Sequence, residues 1–155
     1  TPKPSSAASD VYKRQLLGTT DPDEIANLAK EGNESGVDLI LEDVVSGPIG
    51  ELPSDTTAVN FGKISKLDSE ISKQDIAAGI VNLVGQTAAR IATSVATTFK
   101  ASEIVVVGRS PSFNGLKNSL EQAASIMGFS PHFPKNGEYA SALGALLVAE
   151  KNPSD

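Results

Sequence analysis

Residues 104–120 read IVVVGRSPSFNGLKNSL. Ile104, Val105, Val106 and Val107 run without a polar break into Gly108, and a polar loop (Arg109, Ser110 and their neighbours) then leads into a helical pattern. With no alternation, Glu103 to Val107 predicts a strand buried on both faces, as in a parallel sheet. A strand that ends in glycine and passes through a polar loop to a helix N-terminus turns backbone N–H groups outward. In α/β proteins such places commonly hold a ligand. Gly108 has no Cβ, so a flat ring or a phosphate can come close, and Ser110 and Asn114 can donate and accept hydrogen bonds. An ordinary strand-to-helix turn fits the same residues. The loop is neither a Walker loop nor G-x-G-x-x-G.

C-terminal to this stretch, Leu116, Leu120, Ala123 and Met127 give the next helix its apolar face and Gly128 ends it. FSPHFP (129–134) reads as a short strand or extended piece. Tyr139, Leu143, Leu146 and Glu150 mark a last helix from about 138 to 150, lined with alanine and glycine. On the N-terminal side lies the longest element, opened by Ser72 with Asp75 three residues later, a start like a capping box. Ile76, Ile80, Val84, Ala88, Ile91, Val95 and Phe99 form one stripe of a helix on the order of 40 Å long. Ala77, Val81, Gly85, Ala92 and Ala96 form a second row, small enough to let another backbone approach. Such a helix is expected to cross a domain centre or a dimer interface.

Further upstream, SGPIGELPSDTTAVNFGK (46–63) is rich in Pro, Gly and Ser and reads as a long loop. Val37 to Val45 reads as a strand. In LLGTTDPDEIANLAKEGN, Asp21 is a good N-cap, Pro22 suits the first helical position, and Gly32-Asn33 stops the helix. Ile25, Leu28 and Ala29 form its apolar face. The first fifteen residues, TPKPSSAASDVYKRQ, are polar, aperiodic and without the apolar centre of a secretory signal. They read as a non-native or disordered leader. SAASDVYKRQ resembles translated adapter sequence joined to a cut gene, which places the native start near Leu16. Residues 16–151 are then the folded lobe and 152–155 a tail. The element order is that of an α/β layered domain with right-handed crossovers.

A chain of 155 residues, 39% hydrophobic and 21% charged, is about one ordinary globular domain. A net charge of -6 argues against a nucleic-acid or acidic-membrane surface. No cysteine is present, which excludes disulfides and thiolate metal sites. His132 is the only histidine and reads as a surface residue. No histidine and carboxylate pair has ligand spacing, so no protein-bound metal is expected. Asp21/Asp23 and Glu42/Asp43 read as caps or solvated acids, and nothing marks a general base. Two further candidates stand beside the opening loop. In TAVNFGK (57–63), Asn60, Phe61 and Gly62 can line a cleft or form a capped turn. In NGEYASALGALL (136–147) the small residues invite a close backbone contact, either with a partner element or with the long helix.

TDPDEIANLAKEGN, PSDTTAVNFGKI, VVVGRSPSFNGL and NGEYASALGALL, in this order and spacing, resemble type II pantothenate kinase, of the actin and sugar-kinase superfamily. The resemblance covers roughly Leu16 to Lys151. It implies an α/β fold, the C-terminal lobe of an actin-like or ribonuclease H-like ATPase: a mixed sheet flanked by helices, including one long helix at about 72–99. It implies ATP and Mg²⁺ as cofactors, pantothenate as substrate, 4'-phosphopantothenate as product, a homodimer and a cytoplasmic setting. By that likeness Gly108, Arg109, Ser110 and Asn114 lie against the adenosine part of ATP. Pro22 lies near the nucleotide, where the family often carries an aromatic. No catalytic residue is carried over, because the phosphate loop, the general-base glutamate and the Gly-rich run expected before Leu16 have no counterpart. The chain is therefore expected to be inactive alone. Two other classes share parts of the pattern: a lobe of another superfamily sugar kinase or activator ATPase, and a non-enzymatic α/β module that dimerises through its long helix.

Overall fold

The computed structural model describes residues 13–64, 70–109, 111 and 113–151. Most of the expected leader, the tail after Lys151 and Ser110 lie outside them. The chain falls into two compact units, Thr1–Val84 and Gly85–Asp155.

In the first unit residues 13–17 are helical. Helix α1 follows at Pro22–Glu31, with Pro22 in its first turn. The Asp21 carboxylate accepts from the N–H groups of Asp23 and Glu24 at 2.9 and 3.1 Å, satisfying donors that the helix itself cannot. The helix stops at Gly32, where a Cβ would lie 2.0 Å from the carbonyl oxygen of Gln74. A short 3₁₀ turn, Glu34–Gly36, is capped by Asn33. Strand β1 (Leu39–Ile40), helix α2 (Leu41–Val44) and strand β2 (Thr57–Val59) complete the motif. β1 and β2 pair antiparallel, Leu39 opposite Val59 and Ile40 opposite Thr57.

Two expectations change here. The strand foreseen over Val37 to Val45 is cut to two residues, and the foreseen long loop contains β2. Asp43 supplies the reason. Its carboxylate accepts from Ile40 N–H at 2.9 Å, and Val45 N–H reaches Leu41 O at 2.9 Å, so the chain leaves the sheet as a helical turn. Lys63 then holds Asp43 at 2.7 Å.

The interior of this unit is organised around an acid. Asp38 is fully buried. One carboxylate oxygen accepts from Phe61 N–H at 2.6 Å. The other accepts from the side-chain amides of Asn82 at 3.0 Å and Asn60 at 3.4 Å. The Asn82 amide also donates to Thr57 Oγ1 at 3.1 Å. A buried carboxylate is tolerable only when its oxygens are bonded in this way. The network ties β2, the following turn and the long helix to the residue before β1.

The long helix, α3, spans Lys73–Phe99, close to the expected bounds. Ser72 Oγ accepts from Asp75 N–H at 3.0 Å, as its spacing foretold. The Asp75 carboxylate instead accepts from Asn33 N–H at 2.8 Å, so the capping box is half made and its acid fixes α1's exit. The face of α3 that is buried is the small-residue one: Ala77, Ala89 and Thr93 are fully buried and Ala96 nearly so. The large stripe is half-buried at Ile76, Ile80 and Ala88 and lies outside at its C-terminal end, with Ile91 62%, Val95 51% and Phe99 78% exposed.

In the second unit α3 ends in a Schellman motif: Ala101 N–H bonds Ala96 O at 2.8 Å and Lys100 N–H bonds Thr97 O at 3.2 Å. Helix α4 is Asn114–Ile126 and ends the same way at Gly128, whose φ is +77°. Ala89 of α3 packs with Leu120 and Ala124 of α4, and Val106, Phe129 and Phe133 close this cluster. The expected buried strand at 103–107 is a single parallel bridge, Val105 to His132. Val105 and Val107 are 53% and 48% exposed, so burial on both faces does not hold. A 3₁₀ turn, Gly137–Tyr139, leads into helix α5, Ala140–Lys151. Leu143, Leu146 and Leu147 of α5 are all more than half exposed. The chain is thus mixed α/β, mostly helical, with a two-stranded sheet and one long helix among the described residues, rather than the larger mixed sheet that was expected.

Two measurements test this packing. Asp38→Ala leaves the Asn82 amide buried with one partner fewer and is expected to lower the unfolding free energy in urea by about 2–4 kcal/mol. Two of the helical glycines, Gly85 and Gly144, should respond with opposite signs. A Cβ at Gly85 would meet Ser119 Cβ at 2.6 Å and Leu116 O at 3.0 Å. One at Gly144 meets nothing within 4 Å. Replacing glycine by alanine gains about 0.8–1 kcal/mol in helix propensity, whereas overpacking costs about 1–3 kcal/mol. Gly85→Ala therefore lowers the melting temperature and Gly144→Ala raises it.

Candidate functional site

The segment Ile104–Gly108 is held along one edge by three backbone bonds. Val106 N–H donates to His132 O at 2.9 Å, His132 N–H donates to Ile104 O at 2.8 Å, and Gly108 N–H donates to Gly137 O at 2.9 Å. The last bond brings two sequence candidates together, the loop after Val107 and the NGEY turn that precedes α5. Gly108 has φ +98°, a conformation that a side chain strains, and the space where its Cβ would stand is open. A planar or anionic group can therefore approach this backbone.

Arg109, the next residue, is exposed. Ser110 lies outside the described residues, and Asn114 is the first residue of α4. Phe113, at the N-cap of α4, makes no side-chain cap hydrogen bond. Asp21 satisfies the corresponding N–H groups of α1, a role that Phe113, with no side-chain acceptor, cannot fill at α4. Pro22 is exposed at the start of α1, in the first unit.

The other candidates resolve differently. TAVNFGK is a capped turn: Asn60 and the Phe61 amide bond Asp38, Phe61 sits at φ +57°, and a Cβ at Gly62 would be 2.7 Å from Leu39. His132 is exposed, as expected, and acts through its backbone. Asp21 and Asp43 serve as caps, Asp43 with Lys63 as its ion partner. Among the described residues no three His, Asp or Glu side chains converge to hold a metal ion, and no helix is long and apolar enough to cross a membrane.

Sequence reading missed the Asp38 network and the bond from Asp75 to Asn33. One signal was available for the first: an acid in the apolar run GVDLI must find partners or unfold the strand around it. A shallow cleft in the first unit, lined by Leu17, Thr19, Glu24, Leu28, Glu31 and Lys73, was also missed. It contains none of the expected site residues.

Comparison with known proteins bears on this arrangement. The Fumble family model matches residues 13–148. The type II pantothenate kinases of Staphylococcus epidermidis and Staphylococcus haemolyticus are each 31% identical to this chain over 135 residues, covering 86% of it and 51% of the relative. That of Staphylococcus aureus is 29% identical over 137 residues, covering 87% and 51%. The chain thus spans about half the length of the curated relatives it matches. The matched region runs through the Gly108 loop, the capped TAVNFGK turn and the NGEY turn alike, and on that footing the chain belongs to the Fumble family, the family of the pantothenate kinases.

Proposed function

We propose that this chain supplies the adenosine-side wall of a type II pantothenate kinase, which phosphorylates pantothenate with ATP at the first step of coenzyme A biosynthesis. The observation that carries the reading is the match to enzymes of that name over 86% of the chain. The open backbone at Gly108 and an α4 N-cap, Phe113, whose side chain makes no cap hydrogen bond support it, because both suit a nucleotide lying across a strand end. In this reading Gly108 leaves room for the base and ribose. Arg109, Ser110 and Asn114 border them.

In the reaction the bond between the β-γ bridging oxygen and the γ-phosphorus breaks. A bond forms from that phosphorus to the hydroxyl oxygen of pantothenate, whose proton passes to a base, and ADP leaves. ATP supplies the transferred group and Mg²⁺ balances its charge. The residues described here do not gather the carboxylates that would hold an ion. Nor do they include the glutamate base that the resemblance assigns to the family. The role of this chain is therefore to bind and orient, and by itself it is inactive and holds ATP weakly. The exposed Ile91, Val95 and Phe99 of α3 support a homodimer formed along that helix.

The test joins the half of the S. epidermidis relative that this chain does not span ahead of residue 13. The fusion is expected to form 4'-phosphopantothenate and the 155-residue chain alone to form none. Product from the chain alone would refute the inactivity, and a folded fusion without product would refute the kinase reading. Within an active fusion, Ser110→Ala should raise the apparent KM for ATP several-fold, the worth of one hydrogen bond at about 1 kcal/mol.

A further inference from the structure

We infer that Asn136–Gly137 is a site of self-modification, in which the Gly137 nitrogen closes on the Asn136 side chain, ammonia leaves, and water reopens the ring to aspartate or isoaspartate. The isoaspartate form cuts the backbone link that holds Gly108. The modification does not depend on what the chain catalyses; only its effect on ATP rests on the kinase reading.

The sequence holds two Asn-Gly pairs, Asn114–Gly115 and Asn136–Gly137. Glycine lacks the Cβ that would shield its nitrogen, so both pairs have the composition the reaction needs. Their surroundings separate them. Asn114 opens α4, and Gly115 is fixed in the same helical turn, its carbonyl accepting from Ser119 Oγ at 3.0 Å. Asn136 is exposed, stands outside any α-helix at φ +60°, ψ 25°, and its side chain makes no cap hydrogen bond.

The left-handed φ decides between the two. Closing the five-membered ring eclipses the Asn136 Cβ with the Gly137 nitrogen. Because Cβ and N stand about 120° apart around Cα, closure takes ψ to about −120°, and that ψ with a φ of about +60° is the first central position of a type II′ turn. Asn136 already holds the φ, and a flip of the Asn136–Gly137 peptide supplies the ψ. Glycine absorbs the compensating change on its own side. The flip opens two short-range bonds of the surface turn, Gly137 N–H to Pro134 O at 3.1 Å and Tyr139 N–H to Asn136 O at 3.0 Å. At Asn114 the φ is helical, and the same ψ leaves the allowed regions, so ring closure there must first unwind the start of α4.

In the reaction a bond forms between the Gly137 nitrogen and Asn136 Cγ, the bond from Cγ to the amide nitrogen breaks, and ammonia carries off the Gly137 proton. Water then adds to one of the two ring carbonyls. Addition at the main-chain carbonyl leaves the chain running through Cβ and Cγ, longer by one atom and carrying a new carboxylate. Gly137 O is the acceptor for Gly108 N–H at 2.9 Å. The longer chain displaces that carbonyl and takes Asn136 O out of the turn, so Gly108 loses its partner.

The test ages the 155-residue chain in warm, mildly alkaline buffer and maps its peptides by mass spectrometry, with electron-transfer fragmentation to tell isoaspartate from aspartate. Conversion at Asn136 is expected to run about tenfold or more faster than at Asn114, whose helix must open first. The Gly108 amide, followed by NMR hydrogen exchange, should lose protection in step with isoaspartate, while the amides of Val106 and His132 keep theirs. Gly137→Ala should suppress conversion and keep the fold, because its Cβ would meet Pro134 Cγ at an ordinary 3.4 Å. Asn136→Asp brings the charge without the longer chain and should leave Gly108 protected. Equal conversion at the two pairs, as in an unfolded chain, overturns the inference. So does isoaspartate at 136 with Gly108 still protected. In an active fusion the isoaspartate form should show a several-fold higher KM for ATP, and an unchanged KM beside a lost Gly108 bond would count against the adenosine-wall reading alone.

Discussion

Three backbone hydrogen bonds, His132 N–H to Ile104 O, Val106 N–H to His132 O and Gly108 N–H to Gly137 O, are the constraint on which the candidate site depends. They fix the strand end in space, and Gly108 at φ +98° sets the direction in which the chain leaves it. The turn before α5 takes its place from the bond between Gly108 and Gly137. The hydrophobic cluster of Ala89, Leu120 and Ala124 backs one face of the segment through Val106 but bonds none of its polar groups. Packing of that kind is non-directional. Only the ladder can specify which backbone groups point inward.

What was legible in the sequence was local. α1 is announced by Asp21 and Pro22, α3 by Ser72, and the end of α4 by Gly128, because each signal acts within a turn of its own position. The strands were less legible, for the opposite reason. Val37 to Val45 has the composition of a strand, but the Asp43 carboxylate captures Ile40 N–H and Lys63 captures Asp43 from twenty residues away. Composition cannot register that bond. The long α3 shows a second limit. A periodic stripe ranks residues by size and apolarity, so Ile91, Val95 and Phe99 read as part of a contact face at a domain centre or a dimer interface. The contact with α4 is instead so close at Gly85, 2.6 Å from Ser119 Cβ to a hypothetical methyl, that only small residues fit. Part of that face, Ala77, Gly85 and Ala96, was visible in the sequence as a small row, whereas Ala89 and Thr93 were not in it; which small residues are buried follows from interhelical distance, which periodicity does not encode.

The candidate site divides along the same line. Gly108 could be singled out because a glycine closing a β-branched run has few other uses, and the structure gives it a conformation that needs one. Its bond to Gly137 joins stretches 29 residues apart and leaves no mark in either one. The TAVNFGK turn offered two readings, and the choice between them lay in Asp38, well outside the motif. A sequence motif thus names which residues matter more readily than it names what they touch.

On the kinase reading, charge explains why one wall does not suffice. Phosphoryl transfer depends on positioning and on stabilising negative charge around the phosphates. This chain carries a net charge of -6, so a triphosphate gains little from its overall field. Lys117, on α4, lies 5.0 Å from the centre of the Phe133 ring and 3.9 Å from Glu121. It is already placed against other groups. What remains near Gly108 is a neutral, open backbone suited to a base and a sugar, which need shape and a few hydrogen bonds more than charge. The division of labour is then physical: the adenosine end can be held by uncharged backbone, whereas the phosphate end needs concentrated donors and cations from elsewhere in the protein. Reacting atoms must be held about 3–3.5 Å apart with their orbitals aligned, so whatever supplies the phosphate end must be held in fixed register with the backbone at Gly108, and not merely in contact with it.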